Sequence, residues 1–397
     1  MPETTPLFAF QNPSLQPTVE PLDCRVVTLT HYLPPYMARV LYYTAQQIRD
    51  FRVLLSIEEE PNRHFGTTWD GLKVKVQKSI MIRRPWKHGA GFQDELFVHF
   101  PYDTISQLRR ARPDIVFSYE LGFRSLTSAI YCKTHRKKLA LCVCASEHTE
   151  QGRGFARNIL RRLLLRSADA VTYNGPSCRA YLEGFRVRDE RLFHFPYACS
   201  DLFRYVGRLE RAEAAARRLL CIGQLTQRKG VVPLLNSLVK YCSARPHRRV
   251  EIDFIGTGTE DQALRDVALP DNLHMRLVGH LSQQDIAQAM EHAGILVFPT
   301  LADEWGLVVN EALQAGMPVV GSQYAQACTA LIHEGENGWL YCPDVDESLF
   351  ETLDKLYSLD DSQLLAMRQA AQRCVAEITP QNVARSAIDM FGTLLRK

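Results

Sequence analysis

The feature that most constrains this chain is a repeated exchange between short apolar runs of strand length and longer helical patterns. From Cys24 onward it reads CRVVTLT, a helical stretch near Ala38 to Arg49, FRVLLSI, PDIVFSY, KKLALCVCA and DAVTYN. A second series starts near Arg217: RRLLCIG, the helical VVPLLNSLVKYC, RRVEIDFIG, HMRLVGHL, GILVFPT, GMPVVGS and NGWLYCP. Strands apolar along their whole length are buried on both faces, and their alternation with helices indicates parallel sheets joined by crossover helices. Two successive arrays predict an α/β chain of two doubly wound, Rossmann-like domains. A length of 397 residues suits about two to three domains. The join is expected near Asp201 to Arg218, where LFRYVGRLERAEAAARR gives up the strand pattern for charge. WDGLKVKVQKSIMIRR alternates with the period of a hairpin or edge strand, within a stretch from about Glu58 to Tyr102 that is otherwise irregular. After Asp360 the pattern is helical, with Pro380 as a break.

Composition narrows the class. With 46% hydrophobic and 23% charged residues, 22 Gly and 20 Pro, the chain is globular, neither collagen-like nor disordered. Its 47 basic and 44 acidic side chains leave a net charge of +3, far below the basic excess of nucleic-acid binders, so no nucleic-acid partner is expected. The 11 cysteines are scattered, and Cys142 and Cys144 fall in an apolar run without zinc or redox spacing. Residues 1–20 are polar, without the charged and apolar regions of a signal peptide, and read as a flexible leader. No segment reaches the roughly 18 apolar residues of a membrane span. A cytoplasmic chain is the expectation.

Chemistry concentrates in PTLADEWGLVVNEALQAGMPVVGS, residues 299 to 322. A buried strand ends in a polar loop, Gly306 opens a helix, and Gly316 ends it before the next strand. Ligands of open α/β sheets bind at such strand exits, and a helix N-terminus offers N–H groups to an anion. Asp303 lies in the loop, and Glu311 roughly one and a half turns into the helix, so both carboxylates can accept from sugar or ribose hydroxyls. Upstream, CIGQLTQRKGVVPLL places Gly223, Gln224, Arg228 and Lys229 between a strand and a helix, where cations can meet a diphosphate. Between these loops, VEIDFIGTGTEDQAL sets Gly256 and Gly258 after a strand, where missing Cβ atoms allow close approach of a ligand.

Taken in order, GQLTQRKG, IGTG, MRLVGHL and DEWGLVVNEALQAGMPVVGS resemble the motifs of the GT-B glycosyltransferases of glycosyltransferase family 4, over roughly residues 215 to 345. The resemblance implies a GT-B fold, two Rossmann-like domains facing a central cleft. It also implies retaining transfer of a sugar from a nucleoside diphosphate sugar to an acceptor hydroxyl. By the same resemblance, Lys229 and Arg228 neutralise the diphosphate, Glu311 holds the ribose, and Asp303 binds the transferred sugar. Backbone from Trp305 through Gly306 and Leu307 to Val308 meets the distal phosphate and sugar, and Gly279, His280 and Leu281 meet the base. The family's first signature carboxylate is commonly Glu where this chain has Asp303, and its common Arg is Gln224 here. No D-x-D segment is placed to ligate a metal, so metal-independent catalysis is expected. The domains implied are 21–205 plus 378–397, with a last helix crossing back to bind the acceptor side, and 206–377 for the nucleotide sugar.

The N-terminal half carries the resemblance less tightly. TLTHYLPPYMARVL lacks the family's glycines and offers His31, Pro34, Pro35 and Arg39 to the cleft. LCVCASEHTEQGRG ends a buried strand with Glu147 and His148 in reach of acceptor or donor sugar, and SYELGFRS does the same with Glu120 and Arg124. Residues 151 to 166 hold Arg153, Arg157, Arg161, Arg162 and Arg166 without an acid, with Phe155, Ile159 and Leu163 along one helix face. Such a helix suits an anionic membrane surface, which would make the chain peripheral on the inner face; a core-packing helix with a solvated basic face is the alternative. The acceptor is expected to be a glycan or lipid-linked hydroxyl in cell-surface polysaccharide or lipopolysaccharide assembly. Two other classes are open to such a chain. A dinucleotide oxidoreductase needs G-x-G-x-x-G, but Asp261 stands at the third glycine position. A non-catalytic nucleotide-sugar sensor shares every donor-binding residue and stays open.

Overall fold

A computed structural model of the chain describes residues 21–60, 69, 71–200, 203, 209 and 213–396. The expected leader, and most of the expected join between the domains, lie outside the described residues. Two parallel sheets organise the rest. The first uses β1 (Leu22–Thr30), β2 (Ile48–Leu55), β3 (Lys73–Val76), β6 (Ile115–Tyr119), β7 (Lys138–Cys142), β8 (Ala170–Tyr173) and β9 (Leu192–His194), in the order β3-β2-β1-β6-β7-β8-β9. Between β3 and β6 an antiparallel hairpin intervenes, β4 (Ser79–Lys87) with β5 (Gln93–Pro101). The alternating KVKVQKSIMIRR stretch is thus divided between an edge strand and a separate hairpin. Helices α1 (Pro35–Ala45), α2 (Thr104–Ala111), α3 (Phe123–His135), α4 (Phe155–Ser167) and α5 (Pro176–Gly184) connect the strands.

The second sheet follows the short α6 (Glu213–Ala216). It uses β10 (Leu219–Ile222), β11 (Val250–Ile255), β12 (Leu273–Gly279), β13 (Ile295–Phe298), β14 (Val319–Ser322) and β15 (Gly338–Tyr341), ordered β12-β11-β10-β13-β14-β15. Its helices are α7 (Val231–Ser243), α8 (Asp261–Arg265), α9 (Gln283–Glu291), α10 (Leu307–Gln314), α11 (Gln326–Leu331), α12 (Asp346–Ser358) and α13 (Asp361–Cys374). Apolar side chains cover both faces of each sheet, as parallel strands require. The last helix, α14 (Pro380–Arg396), leaves the second domain and packs on the first: Val383, Ala387, Met390 and Phe391 are buried with Val40, Leu41 and Phe117. Pro380 is its first residue, where a missing N–H costs nothing.

Both sheets reverse strand order once, between β1 and β6 and between β10 and β13. At such a point the crossovers leave on opposite faces, which opens a crevice at the carboxyl ends of the strands. These two crevices position the candidate site.

Candidate active site

In the second domain the loops after β10 and β13 meet at the switch point. The Leu301 N–H donates to the Arg228 carbonyl (2.8 Å), and the Thr300 hydroxyl donates to the same oxygen (3.2 Å). This joins Gln224–Lys229 to the signature loop. Lys229 Nζ donates to Asp303 Oδ2, and Arg228 lies 3.7 Å from the same oxygen. Burial would raise the Asp303 carboxyl, but Lys229 and then Arg228 outweigh it and hold the group at about 2. Arg228 has a second acid that the sequence does not announce: its Nε donates to Asp94 of the β4–β5 hairpin at 2.6 Å. Glu311 lies on the helix beyond, and burial raises its carboxyl to about 7.

Gly306 caps α10 at φ +100°, and a Cβ there would meet the Phe298 ring at 2.6 Å. The helix opens without a side-chain cap, so the first-turn N–H groups at Leu307 and Val308 stay available to an anion. Trp305 differs from the expectation. Its N–H faces Asp303 Oδ1 at 3.3 Å, and its buried indole donates to Asn310 Oδ1 at 2.7 Å. The strand exits at Gly223, Gly256 and Gly279 lie side by side, joined by Gly223 N–H to Ile255 O (2.9 Å) and Gly256 N–H to Gly279 O (2.8 Å). His280 is exposed and Leu281 half-buried just beyond. The small residues at 256 and 258 have a different cause from the one expected. A Cβ on Gly256 would lie 1.9 Å from the Gly223 carbonyl oxygen, and one on Gly258 would lie 2.2 Å from that of Leu225. The missing side chains admit the neighbouring loop.

Across the cleft, the first domain's switch point gathers another charged set. His31 Nδ1 lies 3.1 Å from Glu120 and its Nε2 3.8 Å from Glu60, which also lies 3.5 Å from His99. Arg124 is buried, donating to Ser56 Oγ (2.8 Å) and Glu120 (3.4 Å). Burial would raise Glu120, yet His31 and Arg124 hold it at about 2, while burial lowers His31. Glu120 sits at φ +67°, a strained backbone for a non-glycine residue. Arg39, on α1, lies over the Tyr43 ring at 4.9 Å. Glu147 is exposed at the β7 exit, and beside it His148 crosses the cleft, with Nε2 at 2.7 Å from the Leu301 carbonyl and its ring stacked on Tyr324 at 4.4 Å.

Further bonds join the domains around the signature loop. Asn174 Nδ2 donates to the Glu304 carbonyl (2.9 Å), Gln326 Nε2 to that of Cys144 (2.5 Å), and Tyr197 stacks on Trp305. Glu304 itself points to the first domain, 4.0 Å from Arg153. Burial raises its carboxyl, Arg153 lowers it, and Glu120 and Glu150 raise it further.

The arginine-rich helix is turned opposite to expectation. Arg161 is buried and bonded to Glu150, Arg153 lies 3.4 Å and Arg157 3.8 Å from the same carboxylate, and Arg153 also covers the Trp86 ring. Three of the five cations therefore face inward on a buried acid. Phe155, Ile159 and Leu163 face outward, 79%, 48% and 59% exposed, with Arg162 and Arg166 exposed beside them. Glu150 precedes Arg153, Arg157 and Arg161 at intervals of three, four and four residues. That spacing is the signal a count begun at residue 151 passes over.

Residues 216–359 match the family profile described as "Glycosyl transferases group 1". Glycogen synthase of Mycobacterium tuberculosis is 26% identical over 193 residues, 48% of this chain and 46% of that protein, so this chain spans about half the length of the curated relatives it matches. Among solved structures, Anabaena HepE in complex with UDP superposes with a TM-score of 0.69 at 15% identity, covering 93% of this chain and all of the other. Sucrose-phosphate synthase of Thermosynechococcus elongatus superposes with a TM-score of 0.67 at 12% identity, covering 94% and 99%. The architecture is the GT-B fold, two α/β domains with parallel sheets.

Proposed function

We propose that the chain is a retaining hexosyltransferase of glycosyltransferase family 4 type, moving a sugar from a nucleoside diphosphate sugar to an acceptor hydroxyl. The observation that carries this reading is the convergence of Lys229, Arg228, Asp303 and the uncapped start of α10, the helix that also carries Glu311, at the switch point of the second sheet. A diphosphate placed there meets two cations and free helix N–H groups, and Glu311 accepts from the ribose. As the bond to the leaving diphosphate breaks, negative charge grows on its oxygens. Fixed positive groups stabilise that charge more than they stabilise the bound donor, which lowers the barrier without a metal ion. Asp303 accepts from hydroxyls of the transferred sugar, and His148 approaches from the acceptor domain. Structures of HepE hold UDP and UDP-glucose, in line with a uridine nucleotide donor.

The acceptor enters along His31, Glu120 and Glu147. A lipid-linked acceptor in cell-surface polysaccharide or lipopolysaccharide assembly suits the outward apolar row of α4, because Phe155, Ile159 and Leu163 with Arg162 and Arg166 form a surface for an anionic bilayer next to the cleft mouth. In this reading the protein is cytoplasmic and peripheral on the inner face. Among the described residues no helix is long and apolar enough to cross a membrane. A nucleotide-sugar sensor is the second reading, favoured by the carboxylates that already occupy both Lys229 and Arg228.

A donor panel tests the proposal: the protein is incubated with UDP-, GDP- and ADP-sugars while diphosphate release and thermal stabilisation are followed, with Glu311→Ala and Lys229→Ala as controls. Stabilisation by one series, with release lost in both variants, is expected. Stabilisation without release in the presence of lipid-linked and glycan acceptors identifies a sensor, and no response to any donor overturns the nucleotide-sugar reading.

A further inference from the structure

The two cations of the donor site face two carboxylates of very different standing. Asp303 is fixed: its N–H donates to the Tyr324 carbonyl (3.2 Å), its Oδ1 accepts from Trp305 N–H, and its side chain is 15% exposed. Asp94 is the second residue of β5, opposite Trp86 in a two-stranded hairpin, and its side chain is 34% exposed. The hairpin end is wedged between the domains. Trp86 and Phe92 are buried with Leu301 and Ala302 of the second domain, while Trp86 Nε1 donates to the Gln151 carbonyl (3.0 Å) of the first. Arg228 is pinned by this arrangement, with Nε on Asp94 and Nη1 on the Ala302 carbonyl at 3.1 Å. Its guanidinium is therefore committed to partners within the protein.

We infer that Asp94 is an internal anion that competes with the donor diphosphate for Arg228, so that a residue of the acceptor domain sets donor affinity. The inference rests on the donor-site reading above. A diphosphate brings about two negative charges to a site whose two cations are already neutralised. One carboxylate must yield, and the geometry selects Asp94, the more exposed of the two, whose Oδ2 has the Arg228 guanidinium as its one cation and whose Oδ1 accepts from the Glu95 N–H at 2.8 Å, a bond it can keep when Arg228 leaves. Asp303 is held by backbone, Lys229 and its own loop. Release of Asp94 frees the Nε donor of Arg228 for a phosphate oxygen. Donor binding is thereby coupled to the contact between the hairpin and the second domain.

The test is calorimetric titration of UDP, GDP, ADP, inorganic pyrophosphate and the free nucleosides into wild type, Asp94→Asn, Asp94→Ser, and Asp94→Asn combined with Arg228→Gln. Two substitutions at a partly exposed strand position guard against a folding defect in either one, and a melting curve checks each. The expected result is binding of the preferred nucleoside diphosphate at least about fivefold tighter in both Asp94 variants. Nucleoside affinity should be unchanged, and the gain should vanish in the double variant. Equal or weaker diphosphate binding by folded Asp94 variants overturns the inference and leaves the donor-site reading intact. If no nucleoside diphosphate binds wild type or variants, the donor-site reading falls, and the inference with it.

Discussion

Lys229 and Arg228 are adjacent in sequence, yet one answers to an acid of its own domain and the other to an acid of the facing domain as well. Lys229 is the better placed to follow charge onto a leaving diphosphate. Lys229→Ala should therefore lower kcat by roughly two to three orders of magnitude, about 3 to 4 kcal/mol of transition-state stabilisation, with a smaller change in KM. Steady-state kinetics on the preferred donor checks this. Glu311 and Asp303 carry opposite pH signatures. Burial lifts Glu311 from 4.5 to about 7, so the folded protein binds its proton more tightly than the unfolded chain. Stability must fall as pH rises across that window, with the cost complete above it. Glu311→Gln should then be more stable than wild type near pH 8, by about 1 to 3 kcal/mol, and similar to it near pH 4.5, as read by urea denaturation. If Glu311 accepts from ribose hydroxyls as proposed, it does so in its ionised form, and nucleotide affinity should rise about tenfold from pH 6 to pH 8 in wild type and stay flat in Glu311→Gln. Asp303 is depressed from 3.8 to about 2, so its contribution is complete above pH 4 or so and is lost as pH falls through 2.

At the scale of elements, α4 shows how one acid redirects a helix. Glu150 draws Arg153, Arg157 and Arg161 inward, and the apolar row is left on the surface. Removing the buried partner in Arg161→Ala should cost about 3 kcal/mol or more, visible as a lower melting temperature. Replacing Phe155, Ile159 and Leu163 together by Ser should leave stability unchanged and abolish flotation with vesicles containing phosphatidylglycerol. Retained flotation would mean that α4 is not the membrane surface. The strands and their alternation with helices were legible because parallel strands buried on both faces are apolar along their length, as LLCI and ILVF are. The loops at 223–229 and 299–311 were legible because both follow buried strands and carry glycines and charged side chains where those strands end, and the structure joins them through Leu301, Arg228, Lys229 and Asp303. The inward turn of α4 was hidden because amphipathic spacing shows two faces without showing which is packed, and only the acid at 150 breaks the tie. Asp94 was hidden for another reason: its partner is 134 positions away, across two domains, and no local pattern encodes that meeting. Close approach at Gly256 and Gly258 is legible from the glycines, but the neighbours that come close, Gly223 and Leu225, are not.

At the scale of the whole molecule, two switch points face one another, and the contacts between them run through His148, Asn174, Gln326 and the hairpin. Polar bonds are joined there by ring and apolar contacts, with His148 stacked on Tyr324 and with Trp86 and Phe92 buried beside Leu301 and Ala302. The core of the first domain is completed from the far end of the chain, by Val383, Ala387, Met390, Phe391 and Leu394 of α14. Deleting residues 380–397 should abolish the calorimetric transition of the first domain and preserve that of the second. Chain order therefore differs from folding order. On the ribosome the second domain has all its strands in hand while the first, synthesised earlier, still lacks a helix that closes its core. The emerging chain must shelter that incomplete surface until α14 has been made, so truncation ahead of that helix should send the product to proteolysis rather than leave a slightly shortened fold.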